Sequence, residues 1–276
     1  MFKMISSLFG TSVHADNVAS PLTDRLIDMQ GQLAAIDKAQ AVIEFGVDGT
    51  ILSANANFLA VMGYSFDEIR GKHHSMFVDP EHLNSAAYQQ FWSKLARGEF
   101  DAGTYKRIGK NGKEVWIQAT YNPIVDAQNK PYKVVKFATD VSEQKRKFAD
   151  YEGQLAAIGK AQAVISFTLD GRIVDANENF LKTLGYSLTE IQGQHHSMFV
   201  DPAIRDSADY RAFWARLGRG EFDAGRYRRI GKNGVEVWIQ ATYNPIFDAS
   251  GRPCKVVKYA VDVSEQVRNQ QMLESV

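Results

Sequence analysis

A single cysteine, Cys254, stands in 276 residues. No intramolecular disulfide can form, and one thiol cannot build a cysteine-rich metal site. Both points suit a reducing cytoplasm. Charge of one sign is also lacking: 32 basic and 32 acidic side chains leave a formal net charge of zero. A surface for nucleic acid or an anionic membrane would carry a basic excess, so neither is expected as a partner. No apolar run approaches the ~20 residues that span a bilayer. The segment Met1–Ala15 imitates a secretory signal, but its apolar part is short and broken by Ser6 and Ser7. Phe2, Ile5, Leu8 and Phe9 sit instead at helical spacing, as in a small docking or capping helix. A Walker-type phosphate loop and a Gly-x-Ser-x-Gly elbow are both missing, which argues against an enzyme of either kind.

What the sequence does contain is a copy of itself. Gly31–Glu143 aligns without a gap onto Gly153–Glu265, at an offset of about 120 residues and roughly 70% identity, a period of domain size rather than of a solenoid repeat. GKHHSMFVDP (Gly71–Pro80) matches GQHHSMFVDP (Gly193–Pro202), and IGKNGKEVWIQATYNPI (Ile108–Ile124) matches IGKNGVEVWIQATYNPI (Ile230–Ile246). Agreement is poorest between Glu81–Gln90 and Ala203–Ala212, the place to look if the copies bind different things.

Within one copy, Ala41–Val47 alternates, ends in Asp48-Gly49 and resumes at Thr50–Ser53, the pattern of a hairpin. Asn57, Phe58, Val61 and Met62 give a short helix stopped by Gly63. Ser65 and Glu68 have capping-box spacing, as do Ser187 and Glu190. Ser85–Arg97 sets Tyr88, Phe91, Trp92 and Leu95 on one helical face. Three strands follow, Phe100–Arg107, Glu114–Ile124 and Tyr132–Val141, the first two joined through Lys110-Asn111-Gly112. Two hairpins linked by a helical crossover predict an α+β domain: a five-stranded antiparallel sheet with short helices on one face and a concave space between them.

The order of these motifs resembles the PAS fold of bacterial cytoplasmic chemoreceptors and aerotaxis-type sensors. The residues that carry the likeness are GYS-x-x-EI-x-G (Gly63–Gly71), HHSMFVDP, FW-x-x-L-x-x-GE (Phe91–Glu99), KNG-x-x-x-W-x-x-A (Lys110–Ala119) and ATDVSEQ (Ala138–Gln144), each found again in the second copy. The resemblance implies an N-terminal helix in 1–38, PAS domains at 39–143 and 161–265, a connecting helix at 144–160, and an outgoing helix from 266 to 276. It implies a sensory module that relays a change in a pocket through flanking helices, with Asp140 and Asp262 in the place of an Asp-x-Thr relay. There the Asp carries over better than its hydroxyl partner. Tandem units of this kind precede a methyl-accepting domain in biofilm-dispersal receptors, so a chemotaxis-type signalling domain or partner is implied, and so is a cytoplasmic location.

Leu22, Leu26, Met29, Leu33 and Ile36 form an a/d seam, echoed by Phe148, Tyr151, Leu155 and Ile158. It reads either as a homodimerising signalling helix or as an amphipathic helix packed on its own sheet, since two heptads are short for an independent coiled coil. His73-His74 and His195-His196 lie on a wall of the expected cavity, and at most one of each pair can face inward. Three readings stand: a buried imidazole holding the backbone in place, a haem b ligand (His74 or His196), or a flavin contact. For FAD the resemblance assigns His74, His196, Trp92 and Trp214 to the framework, but Val78-Asp79 and Val200-Asp201 replace its basic pair. Trp116 and Trp238 are further candidates for stacking on a planar ring, or are packing residues. His73, His74, Asp79 and His82 could be imagined as a metal set, but nothing in the sequence gathers them at one point. The rival to a sensor is a cofactor-free pair that dimerises or docks a partner.

Overall fold

The computed structural model describes residues 21–274, and its chain divides between Lys147 and Phe148 into two units. The signal-like segment, the helical spacing of Phe2 to Phe9 and the last two residues lie outside the described residues. The first unit runs α1 (Pro21–Ala39), β1 (Ala41–Gly46), β2 (Ile51–Ala54), α2 (Ala56–Met62), α3 (Phe66–Ile69), α4 (Pro80–Leu83), α5 (Ala86–Ala96), β3 (Asp101–Ile108), β4 (Glu114–Val125) and β5 (Pro131–Asp140). Helix α6 (Ser142–Ala161) leads into the second: β6 (Ala163–Phe167), β7 (Ile173–Ala176), α7 (Glu178–Leu184), α8 (Leu188–Ile191), α9 (Pro202–Arg205), α10 (Ala208–Gly218), β8 (Asp223–Ile230), β9 (Glu236–Phe247), β10 (Pro253–Asp262) and α11 (Ser264–Glu274).

Each unit is a five-stranded antiparallel sheet, ordered β2-β1-β5-β4-β3 and β7-β6-β10-β9-β8. The first and last hairpins therefore meet in the middle of the sheet, and the helices between β2 and β3 cover one face. Period-two alternation makes that face the core: Ile43 and Phe45 of β1, and Val115, Ile117, Ala119 and Tyr121 of β4, are buried. Phe58, Met62, Ile69, Phe77 and Leu95 pack down on them from the helices. Each such large apolar side chain contributes on the order of 1.5–3 kcal/mol when removed from water.

Local chemistry places the helices. Asn55 caps α2 by accepting from the Phe58 N–H, and Gly63 closes it in the left-handed region at φ 78°. The Ser65–Glu68 and Ser187–Glu190 capping boxes are both formed. Asn111 and Gly112, at φ 58° and 76°, build the tight turn between β3 and β4. Gly49 has a stricter duty. Its φ is 84°, and a Cβ there would lie 2.4 Å from Nε2 of His73 and 3.0 Å from the Trp92 ring.

Candidate functional site

The inward rows of the sheet are apolar except at a few positions, which converge. On β5 the row is Val134, Lys136, Ala138, and Lys136 is 1% exposed. Buried Arg107 reaches in from β3, and Tyr121 lies between the two on β4. From the helical side, His74 opens a 3-10 turn (His74–Phe77) and is wholly buried, while Tyr88, Phe91 and Trp92 descend from α5.

These side chains form one hydrogen-bonded chain. His74 Nε2 lies 3.1 Å from the Tyr121 hydroxyl, and Nδ1 lies 3.0 Å from that of Tyr88. Arg107 Nη2 donates to the Tyr121 oxygen at 3.1 Å, and Trp92 Nε1 donates to the Tyr88 oxygen at 3.2 Å. A neutral imidazole donates to one tyrosine and accepts from the other. Burial, with the Arg107 charge behind it, holds the His74 pKa well below the ordinary histidine value. Aromatic rings enclose it, with centroids 5.3 Å (Phe45), 5.4 Å (Trp92) and 6.0 Å (Phe91) away. Lys136 Nζ stands 4.9 Å from the Tyr121 ring and 5.7 Å from that of Phe58, and makes no hydrogen bond or ion pair among the described residues. Burial, and secondarily Arg107, depresses its pKa far below the usual lysine value.

The second unit repeats the arrangement except that Nε1 of Trp214 has no hydrogen-bond partner among the described residues. His196 bonds Tyr210 at 2.8 Å and Tyr243 at 3.0 Å, and Arg229 donates to Tyr243 at 2.9 Å. Lys258, 1% exposed, lies over the rings of Phe180 and Tyr243. Burial raises the Tyr210 pKa to about 12.

The structure brings together only some of the residues singled out from sequence. His74 with Trp92, and His196 with Trp214, share one interior, at 5.4 and 5.5 Å between rings. His73 and His195 lie at the margin of that interior, their rings 5.9 and 6.0 Å from those of Trp92 and Trp214. Each caps the 3-10 turn by accepting from the N–H of Ser75 or Ser197, and His73 is exposed. Trp116 and Trp238 lie on the opposite face of the sheet, alternating with buried Val115, Ile117, Val237 and Ile239. Trp116 sits there under Lys145 at 5.4 Å, and Trp238 bonds Glu236 at 2.8 Å. Among the described residues no cluster of His, Cys, Asp and Glu could hold a metal ion.

Sequence reasoning missed Tyr88, Arg107, Tyr121 and Lys136, with their copies. The available signal was a base in an otherwise apolar inward row, Val134-x-Lys136-x-Ala138, repeated at Val256-x-Lys258-x-Ala260.

The relay positions lie where the sheet hands over to a helix. Asp140 Oδ1 accepts from the Ser142 N–H at 2.8 Å and from its hydroxyl at 2.5 Å, while Ser142 Oγ accepts the backbone N–H of Trp116 at 2.9 Å. The hydroxyl that the sequence comparison found wanting is thus supplied two residues after the Asp. Asp262 and Ser264 repeat the backbone bond at 2.8 Å, and Ser264 again accepts from Trp238 N at 2.9 Å. At the other end of each unit, Asn55 Nδ2 donates to the carbonyls of Asp37 in the last turn of α1 and Gln40 just beyond it, and Asn177 to those of Gly159 in the last turn of α6 and Gln162 just beyond it.

Neither cofactor considered from the sequence fits these residues. A haem ligand needs a free ring nitrogen, and both nitrogens of His74 and of His196 are bonded to tyrosines. For FAD, the places of the basic pair hold buried Val78 and part-exposed Asp79, and Asp79 is already paired with Lys106 at 3.3 Å, so a pyrophosphate would meet an acid there.

Comparison with known proteins gives the family. The PAS fold model matches residues 51–138 and again 173–260. The biofilm dispersion protein BdlA of Pseudomonas aeruginosa is 43% identical over 239 residues, 87% of this chain and 57% of that protein. This chain thus spans little more than half the length of that relative. The aerotaxis receptor of Escherichia coli is 36% identical over 75 residues, 27% of this chain and 15% of its own. A solved RNA-binding light-oxygen-voltage receptor aligns with 86% of this chain and 99% of its own, at 13% identity and a TM-score of 0.36. With both matched segments falling on the two sheets and their helices, the chain belongs to the PAS fold family and carries that fold twice.

Proposed function

We infer that this chain is the sensory input region of a chemotaxis-type signal transducer. A small molecule entering one or both interiors shifts the sheet, and the ends of β5 and β10 pass the shift to α6 and α11. The observation that carries the reading is the Asp140–Ser142–Trp116 junction, which ties the first turn of the outgoing helix to two adjacent strands and recurs at Asp262 and Ser264. Similarity to a biofilm dispersion protein and an aerotaxis receptor supports it. A ligand drives such a switch only by binding one state better than the other. The reading assigns no reaction to the chain and places it in the cytoplasm, where its single thiol is at home. Among the described residues no helix is long and apolar enough to cross a membrane.

The exposed seams support pairing with a second copy. Leu22, Leu26, Met29 and Leu33 of α1 are 51–67% exposed, and Phe148, Tyr151 and Leu155 of α6 are 59–60% exposed. A stripe left in water on both helices favours the signalling-helix reading over packing on the same unit's sheet. Those seams also favour a second reading, in which the pair only dimerises or docks a partner.

Fusion of the chain to a chemoreceptor signalling domain tests the choice. Ser142→Ala removes the hydroxyl that bridges Asp140 and Trp116, and we expect basal kinase output to shift at least fivefold, the low end of allosteric couplings of ~1–3 kcal/mol. Output indifferent to Ser142→Ala and Ser264→Ala, in a chain that still dimerises, would favour the docking module.

A further inference from the structure

Apart from tyrosines, every buried ionisable side chain in the described residues is a base: His74, Arg107, Lys136, His196, Arg229 and Lys258. No buried carboxylate accompanies them, and none pairs with Arg107 or Lys136. A buried cation without a counter-charge is destabilising and is found where something else supplies the charge. Arg107 has donors left over. Of its five N–H groups, Nη1 donates to the Lys106 carbonyl at 2.8 Å and Nη2 to Tyr121, while buried Nε has no partner. Arg229 repeats this, its Nε likewise unpartnered.

Arg107 is also reachable. It lines a cleft of about 330 Å³ between α5 and β3, whose walls include His82, Ala87, Tyr88, Phe91 and Tyr105. The Arg107 guanidinium lies 4.8 Å from the Tyr105 ring centroid. Asp101 stands at the same cleft but is engaged, by Lys94 at 2.8 Å and by the Tyr105 hydroxyl at 2.5 Å.

We propose that the first unit binds a small organic carboxylate, its anionic head on Arg107 with Lys136 behind, and its apolar body against Tyr88, Phe91 and Tyr105. The inference rests on the sensory reading and names the ligand class of that interior. A planar carboxylate matches the guanidinium fork, and aromatic walls suit a flat apolar body. Lys136 stands over the rings of Tyr121 on β4 and Phe58 on α2, within electrostatic reach of Arg107 on β3 and His74 on the 3-10 turn, none of the four a carboxylate. An anion gives it the missing counter-charge, so binding draws a proton onto the amine.

The cleft walls also separate the two copies. His82 and Ala87 correspond to Ile204 and Asp209 in the second unit, within the stretch where the copies agree least. An imidazole and an open methyl wall are replaced there by an apolar chain and an acid, and Leu83 and Gln89 by Arg205 and Arg211, so the two entrances differ in shape and in where their charges lie. The carboxylate is assigned to the first unit, where Arg107 lines the cleft.

Titration calorimetry of the full chain with benzoate, at fixed ionic strength and in two buffers of different ionisation enthalpy, tests this. Benzamide, isosteric and neutral, is the control. We expect one benzoate bound per chain, net proton uptake, and at least tenfold weaker binding of benzamide. Arg107→Gln should weaken benzoate at least tenfold, and exposed His82→Ile, which leaves the core untouched, several-fold. No benzoate binding, equal binding of benzamide, or binding indifferent to both variants would overturn the proposal. Benzoate that binds without moving the output of the fused receptor would instead sink the sensory reading and leave the site standing.

Discussion

Lys136 and Lys258 give the sharpest test of how the interior is charged. Each is 1% exposed and without a hydrogen bond, and burial drives its pKa far below the lysine value. In the unfolded chain the amine keeps its ordinary pKa near ~10.4. Over the pH range in which the folded amine is neutral and the unfolded one protonated, the unfolded state binds one more proton. Stability then rises with pH, by about 1.36 kcal/mol per unit for each lysine. Within that range, with a urea slope of ~2 kcal/mol/M, the midpoint of each unit moves up by ~0.7 M per pH unit. The histidines do not confuse this window. Their lowered pKa also makes stability rise with pH, but that rise is complete once pH passes the unfolded histidine value of ~6.5. The tyrosines act in the opposite sense, since their raised pKa values lower stability with pH only above about 10.

Urea unfolding of the wild type and of Lys136→Met/Lys258→Met, at pH 7, 8 and 9, reads the effect by far-ultraviolet circular dichroism. Methionine keeps most of the volume and removes the amine. The double variant should be more stable at pH 7, by roughly 1–4 kcal/mol as for other buried charges replaced by apolar groups. It should also lose most of the pH slope. A wild-type midpoint flat from pH 7 to 9, or a variant that keeps the slope, would refute the claim that these amines are buried neutral.

Tyr121→Phe strips the hydroxyl shared by His74 and Arg107, and we expect a loss of about 1–3 kcal/mol in the same urea assay. Leu26→Glu with Leu33→Glu puts charge into the exposed α1 seam, and sedimentation should show the dimer population falling at least tenfold with melting temperature unchanged. The purified protein, from cells supplied with haem and flavin, should show no Soret band, because both nitrogens of each interior histidine are engaged; a Soret band lost in His74→Ala or His196→Ala would overturn that fit. Ile204→His with Asp209→Ala gives the second unit the walls of the first, and benzoate stoichiometry should rise from one to two per chain.

The sheet was legible from sequence because its signals are local. Asp48-Gly49 and Asn111-Gly112 mark turns whose φ values only such residues adopt readily, and alternation around Ile43 and Val115 fixes which face is buried. The helix through Tyr88, Phe91, Trp92 and Leu95 was legible for the same reason. The site was half legible. Consecutive histidines cannot both face inward, but which one does depends on Gly49, whose missing Cβ leaves room for the His73 ring outside. Trp116 misled because an aromatic in a strand fits either face, and the outer one is chosen by its buried neighbours Val115 and Ile117. The partners of His74 lie 14 and 47 residues away, on a helix and a strand, and only the fold brings them together.

The duplication keeps one thing fixed and lets another vary. The interior bases, the tyrosines that join them and the Asp–Ser junctions are the same in both units, so on the proposed reading both respond to charge in the interior and pass the response to a helix. The residues that differ, Glu81 to Gln90 against Ala203 to Ala212, form the outer wall of the cleft and touch neither the junction nor the sheet pairing. A wall can change what enters while the machinery behind it stays intact, because exposed side chains such as His82 carry little of the fold's stability. Two units with one relay and two entrances are suited to reading two ligands through the same chain of helices. Their order in sequence makes α6 at once the helix that leaves the first junction at Ser142 and the one held at its far end by Asn177 and Asn179 of the second unit.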